Sequence, residues 1–164
     1  AGALRWTAET LRGENLEFLR GLPKQEERDD LLLVHGSPLD PGDYVYERYG
    51  AAEVLEAVGQ RVCLFGHTHL AMAFIREEET GRIEQVLVPE GGLVRLEAGH
   101  RYLINPGSVG QPRDGNPQAA YAVYEVEAQT VELCRVDYPV EEEQEHMRAA
   151  RLGESLIARL GVGL

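Results

Sequence analysis

The chain has 164 residues, 43% of them apolar, and a net charge of −12. That is enough for one domain with a real core, and too acidic for tight non-specific binding to nucleic acid, although a bound cation could still reverse the field locally for a small anionic substrate. No run of roughly 18 apolar residues offers a membrane span and no basic-then-apolar leader opens the chain, so the expected location is the cytoplasm.

The first segment, residues 4–22, places Leu11, Leu16, Leu19 and Leu22 at helical spacing, with Gly13 dividing it into two short helices and Pro23 ending the second. "KQEERDD" is a charged loop or strand entry. "LLLV", residues 31–34, is a continuous apolar run and predicts a strand buried on both faces. It ends at His35, and loop residues "GSPLDPGDY" follow. Residues 51–59 predict a helix stopped by Gly59. "RVCLFG" is a second buried strand, and it ends at His67 and His69.

Beyond residue 70 the pattern becomes alternation. It predicts a hairpin turning at Thr80-Gly81, two more strands around Ala98-Gly99, and a hairpin turning near Ala128-Gln129. Residues 140–161 start acidic and turn basic, as expected of a terminal helix that complements its own dipole. Together these elements predict a mixed α/β (α+β) layered fold. Cys63 and Cys134 lie in strand-like runs and are expected to be buried thiols rather than a disulfide.

Both buried strands deliver histidine at their carboxyl ends, the edge where open α/β sheets bind ligands. Spaced two apart in extended backbone, His67 and His69 would point the same way, and His35 could add a third imidazole from the neighbouring strand. An H-x-H pair alone is equally compatible with two polar turn residues. His100 and His146 fall in a turn and on a charged helix and are assigned no function.

Taken together, "LLLVHGSP", "CLFGHTH" and "INPGSVGQPRDG" resemble the calcineurin-like metallophosphoesterase family, most of all its small bacterial phosphodiesterase branch. The resemblance implies a β-sandwich flanked by helices and a hydrolase using two divalent ions (Mn²⁺, Fe, Zn²⁺, Ni²⁺ or Co²⁺). It implies that His35 and His67 hold one ion and His69 the other. Metals of this kind clamp the attacking and leaving oxygens of a phosphoryl displacement. Asn105 and Arg113 belong to the glycine-rich loop that lies beside the cleft in this family, where Arg113 could meet a phosphate in a bidentate fashion. Asp40 and Tyr44, after His35, are further candidates for that region.

The family's opening motifs, D-x-H, G-D and G-N-H-D or G-N-H-E, do not occur. Three neutral imidazoles bring no negative charge to two divalent ions. The expectation is therefore that residues 1–164, which begin without methionine, form the C-terminal part of a single metallophosphoesterase domain. The β-α-β units before it, in the same chain or as another chain, would be its partner, and this chain alone would be inactive. Two alternatives stand beside the phosphoesterase: a non-catalytic protein-binding scaffold with the same fold, and a single Zn²⁺ on His35, His67 and His69 with an open fourth position.

Overall fold

The computed structural model describes residues 2–164. Two short helices, α1 (Gly2–Thr10) and α2 (Gly13–Gly21), lead into strands β1 (Gln25–Arg28) and β2 (Leu31–Val34). Helix α3 (Arg48–Ala57) connects β2 to β3 (Val62–Leu64), and six strands follow: β4 (Ala71–Glu77), β5 (Ile83–Leu87), β6 (Gly92–Arg95), β7 (His100–Pro106), β8 (Ala119–Glu125) and β9 (Thr130–Val136). Helices α4 (Val140–Ala149) and α5 (Glu154–Leu160) close the chain.

The strands form two sheets. One has six strands in the order β1-β2-β3-β7-β4-β5, and the other has three in the order β6-β9-β8. In the larger sheet β2, β3 and β7 run parallel, while β1, β4 and β5 are antiparallel to their neighbours. The strand period of two divides its side chains between two cores. Leu32, Cys63, Leu103 and Phe74 align across the sheet and pack with Ala51, Val54 and Leu55 of α3. On the opposite face Val62, Tyr102, Ile104 and Ala73 pack with Val131 and Leu133 of the smaller sheet. The result is three layers: helix, mixed sheet, antiparallel sheet.

Several expectations are corrected. Strand β2 is not buried on both faces. Only Leu32 is buried, because the neighbouring edge strand β1 is charged and lies in solvent. Helix α3 begins three residues earlier than expected and ends at Ala57, before Gly59. Its end is set instead by Arg101, whose guanidinium donates to the carbonyls of Leu55, Val58 and Gln60 and so satisfies groups that a helix C-terminus leaves open. The strands on either side of Ala98-Gly99 belong to different sheets.

The terminal helix is two helices. Arg151 adopts φ +57°, Leu152 N–H donates to Met147 O, and Arg151 N–H donates to Arg148 O. That is the Schellman pattern, usually built on glycine, so its sequence signal was absent. Cys63 is buried and burial pushes its thiol up to about 12. Cys134 is half-buried, because it faces the outer side of the smaller sheet, and both cysteines are free.

Candidate metal centre

The three parallel strands end on one edge, and the loops that follow them are tied to one another there. Gly66 N–H donates to His35 O at 2.8 Å, Phe65 N–H to Ile104 O at 2.9 Å, and Arg113 N–H to His69 O at 3.1 Å. Beneath them lies Asn105, fully buried. Its Nδ2 donates to Gly66 O at 2.8 Å and to Thr68 Oγ1 at 2.9 Å, and its Oδ1 accepts from Gly107 N–H at 2.9 Å. Both amide hydrogens are engaged inside the protein. The geometry therefore gives Asn105 the work of holding the histidine loop and leaves it no donor for a substrate.

The backbone at the histidines is not extended. His67 has φ +67° and His69 φ +63°. Thr68 N–H donates to Gly66 O at 2.8 Å across His67, which makes Gly66–Thr68 the rare, strained form of the γ-turn with positive φ at its centre. Each such residue costs about 1–2 kcal/mol, and strain of this kind persists only where the surroundings over-determine it. Here the surroundings are Asn105 and the buried Thr68 hydroxyl.

The turns aim the two rings differently. His67 Nδ1 lies 3.0 Å from His35 Nε2, the rings meeting edge to face with centroids 4.9 Å apart. Two imidazole nitrogens bound to one cation at about 2.0–2.1 Å each, at octahedral to tetrahedral angles, are separated by about 2.8–3.4 Å, so the spacing of this pair fits one ion. His69 instead donates through Nδ1 to the carbonyl of Gln111 at 2.7 Å. That bond fixes the tautomer and leaves the Nε2 lone pair free, the usual support for a metal-ligating histidine.

The pKa of His69 is lowered below its usual 6.5, first by burial and then by Arg113, His35 and His67, against the opposing effect of the Gln111 bond. It is therefore neutral at pH 7, the form that can ligate. Arg113 is half-buried, and its Nε is buried without a hydrogen-bond partner.

The three histidines do not converge on one point. Among the described residues no group of three or more His, Cys, Asp or Glu side chains is arranged to hold a metal ion, so the single-zinc arrangement is not assembled. The nearest carboxylate in the loop, Asp114, is turned inward. Its Oδ2 accepts from Ala71 N–H at 3.0 Å and pairs with Arg135, both side chains being almost fully buried. Sequence reasoning missed this pair, although the aspartate stands in the quoted "PRDG". Tyr44, a candidate for this region from the sequence, stacks on His67 with centroids 4.0 Å apart, a contact that its position after His35 does not reveal. Asp40 lies in the same loop but bonds Gly42 N–H at 2.9 Å.

Residues 9–129 match the calcineurin-like phosphoesterase superfamily domain. The chain is 31% identical to the "Uncharacterized protein MJ0912" of Methanocaldococcus jannaschii over 98% of its own length. The crystal structure of a metallophosphoesterase from Sphaerobacter thermophilus superposes on 97% of it with a TM-score of 0.89 and 39% identity. The chain spans 65% of the length of each of these relatives. With the family model covering most of its residues and the fold of a solved metallophosphoesterase reproduced, the chain belongs to the calcineurin-like phosphoesterase superfamily.

Proposed function

We propose that this chain supplies the three-histidine part of the dinuclear site of a metal-dependent phosphoesterase that hydrolyses phosphomonoester or phosphodiester bonds. The observation that carries this reading is the 3.0 Å approach of His35 Nε2 to His67 Nδ1, with His69 Nε2 left free beside them. His35 and His67 would hold one divalent ion and His69 would contribute to a second. When bound, such ions supply an activated water and neutralise the oxygens of the transferred phosphoryl group.

The chain's own residues do the rest. The Asn105–Thr68 network keeps both imidazoles in place. The Gln111 carbonyl keeps the proton of His69 on Nδ1. Arg113, whose backbone N–H is bonded to His69 O and whose charge acts on His69, would on this reading meet the phosphate. Carboxylate ligands come, on this reading, from a segment of the protein that lies outside residues 1–164.

The alternative, a non-catalytic docking scaffold, rests on the exposed apolar side chains of the first two helices, Leu4, Phe18 and Leu19 among them, and of Leu22 just after them. Equilibrium dialysis against Mn²⁺, with hydrolysis of bis-p-nitrophenyl phosphate by the chain and by a version extended to the length of its relatives, separates the two. The expected result is bound metal, hydrolysis by the extended protein, and loss of both in His67→Ala. The loss of affinity should be at least the roughly 10- to 100-fold seen when a mere supporting partner of a ligand is removed. Undiminished Mn²⁺ binding or turnover in His67→Ala would overturn the proposal.

A further inference from the structure

The three histidines are held in unlike ways. His69 is fixed by its bond to the Gln111 carbonyl. His35 and His67 have no such support among the described residues: the one hydrogen bond that either ring makes is to the other. A cation between His35 Nε2 and His67 Nδ1 would take the lone pairs of both nitrogens, and that bond would then be lost. Any support that His67 keeps in the bound state has to leave Nδ1 free.

Tyr44 makes a contact of that kind. Its ring lies over His67 with centroids 4.0 Å apart and an angle of 22°. Stacking engages the face of the imidazole, whereas the lone pair of Nδ1 lies in the ring plane. Tyr46 lies against Tyr44 in turn, the two rings parallel to within 5° and 5.4 Å apart.

The loop fixes Tyr44 from several sides. Val45, the next residue, is buried in the core with Leu32 and Phe65. A Cβ on Gly36 would sit 2.4 Å from Pro41 O, so only glycine lets residues 37–43 fold back against the strand end. Gln85 Nε2 donates to Tyr46 O at 2.9 Å.

The stack also responds to charge. A cation on Nδ1 withdraws electron density from the imidazole, and the face of a tyrosine ring is negative, so the attraction between them rises in the manner of a cation–π contact. Only a contact that is stronger in the bound state raises affinity; one of equal strength in both states changes nothing. Tyr44 meets that condition, and an aliphatic neighbour of similar size does not.

We propose that Tyr44 is a positioning residue for the metal site: its ring holds His67 in the orientation that pairs with His35 and favours the cation-bound imidazole. This rests on the metal-dependent reading above. Because Tyr44 is exposed, its replacement leaves the core intact.

The test uses Zn²⁺, a d¹⁰ cation suited to imidazole that leaves proton spectra undisturbed by unpaired electrons. Calorimetric titration of the chain with Zn²⁺ is compared with proton NMR of the His67 ring. Tyr44→Ala should weaken Zn²⁺ binding roughly 2- to 10-fold, Tyr44→Phe should restore it, and Tyr44→Leu should not. The ring protons of His67 should be shifted upfield by the tyrosine ring current, with and without saturating Zn²⁺, and should lose that shift in Tyr44→Ala. Unchanged Zn²⁺ affinity in Tyr44→Ala, full recovery by Tyr44→Leu, or disappearance of the upfield shift in the wild type on saturation would overturn the proposal. Those outcomes leave the metal-dependent reading standing provided that His67→Ala lowers Zn²⁺ affinity; if it does not, both fall together.

Discussion

Asn105 shows how one buried amide can govern a site that it does not enter. Its three hydrogen bonds reach the carbonyl before His67, the hydroxyl between the two histidines, and the backbone of Gly107. Gly107 itself has φ +98°, and a Cβ there would lie 2.9 Å from that of Ala120, so the strand end and the histidine loop are locked together at one place. In Asn105→Ala the carbonyl of Gly66 loses one of its two donors and the buried Thr68 hydroxyl loses its amide partner, at about 1–3 kcal/mol, and the positive φ at His67 and His69 is then held only by the weaker set of bonds around the loop, Thr68 N–H to Gly66 O and Arg113 N–H to His69 O among them. The variant is expected to melt earlier and also to bind Mn²⁺ more weakly. A melting change with unaltered Mn²⁺ affinity in equilibrium dialysis would show that the turn holds without the amide. The histidines were legible in the sequence because each follows an apolar run that ends at a sheet edge. Their orientation was not, because H-x-H spacing implies a common direction only in extended backbone, and the γ-turn at His67 is a product of contacts 37 to 39 residues away.

Among the elements, those delimited by apolar pattern were legible, and those delimited by a charged side chain were not. The hairpins formed by β4 with β5 and by β8 with β9 fall where alternation places them. By contrast, the end of α3 is set by Arg101, whose role depends on β7 lying beside that helix. The division between β6 and β7 is likewise held by an arginine. Arg61 donates to the carbonyls of Leu96, Glu97 and His100 and to the side chain of Gln129, gathering the crossover segment and the β8–β9 turn. Neither arginine carries a local signal, since a single charge at the start of an apolar run, as in Arg61 before "VCLF" and Arg101 before "YLI", has no unique structural meaning. Replacing Arg101 by Met keeps the side chain's apolar length and removes the donors to Leu55, Val58 and Gln60. The expected loss is roughly 1.5–3 kcal/mol, the worth of a charged hydrogen bond, read as a lower urea midpoint at unchanged slope. No change in midpoint would mean that water satisfies those carbonyls equally well.

At the scale of the whole molecule the two sheets are joined by apolar contact across their faces and, at the site end, by the ion pair of Asp114 with Arg135. Asp114 belongs to the loop that also carries Arg113, and it accepts from Ala71 N–H at the start of β4. Arg135 belongs to β9 of the other sheet and also donates to Gln118 O at 3.3 Å. With side chains only 4% and 7% exposed, the pair is shielded from salt. Removing one member strands the other charge in the interior, which typically costs about 3–5 kcal/mol, whereas replacing both with apolar groups is often close to neutral. Asp114→Ala is therefore expected to lose about that amount, with little dependence on ionic strength, and Asp114→Leu combined with Arg135→Met to recover most of it. Denaturant unfolding of the single and double variants at low and high salt measures both terms. A single variant that loses less than about 1 kcal/mol, the scale of an exposed pair, would mean that the charges are hydrated and that the sheets are held by their apolar faces alone. If the double variant regains stability yet binds phosphate ligands more weakly than the wild type, the pair's contribution lies in where it holds Arg113 and not in the strength of the fold.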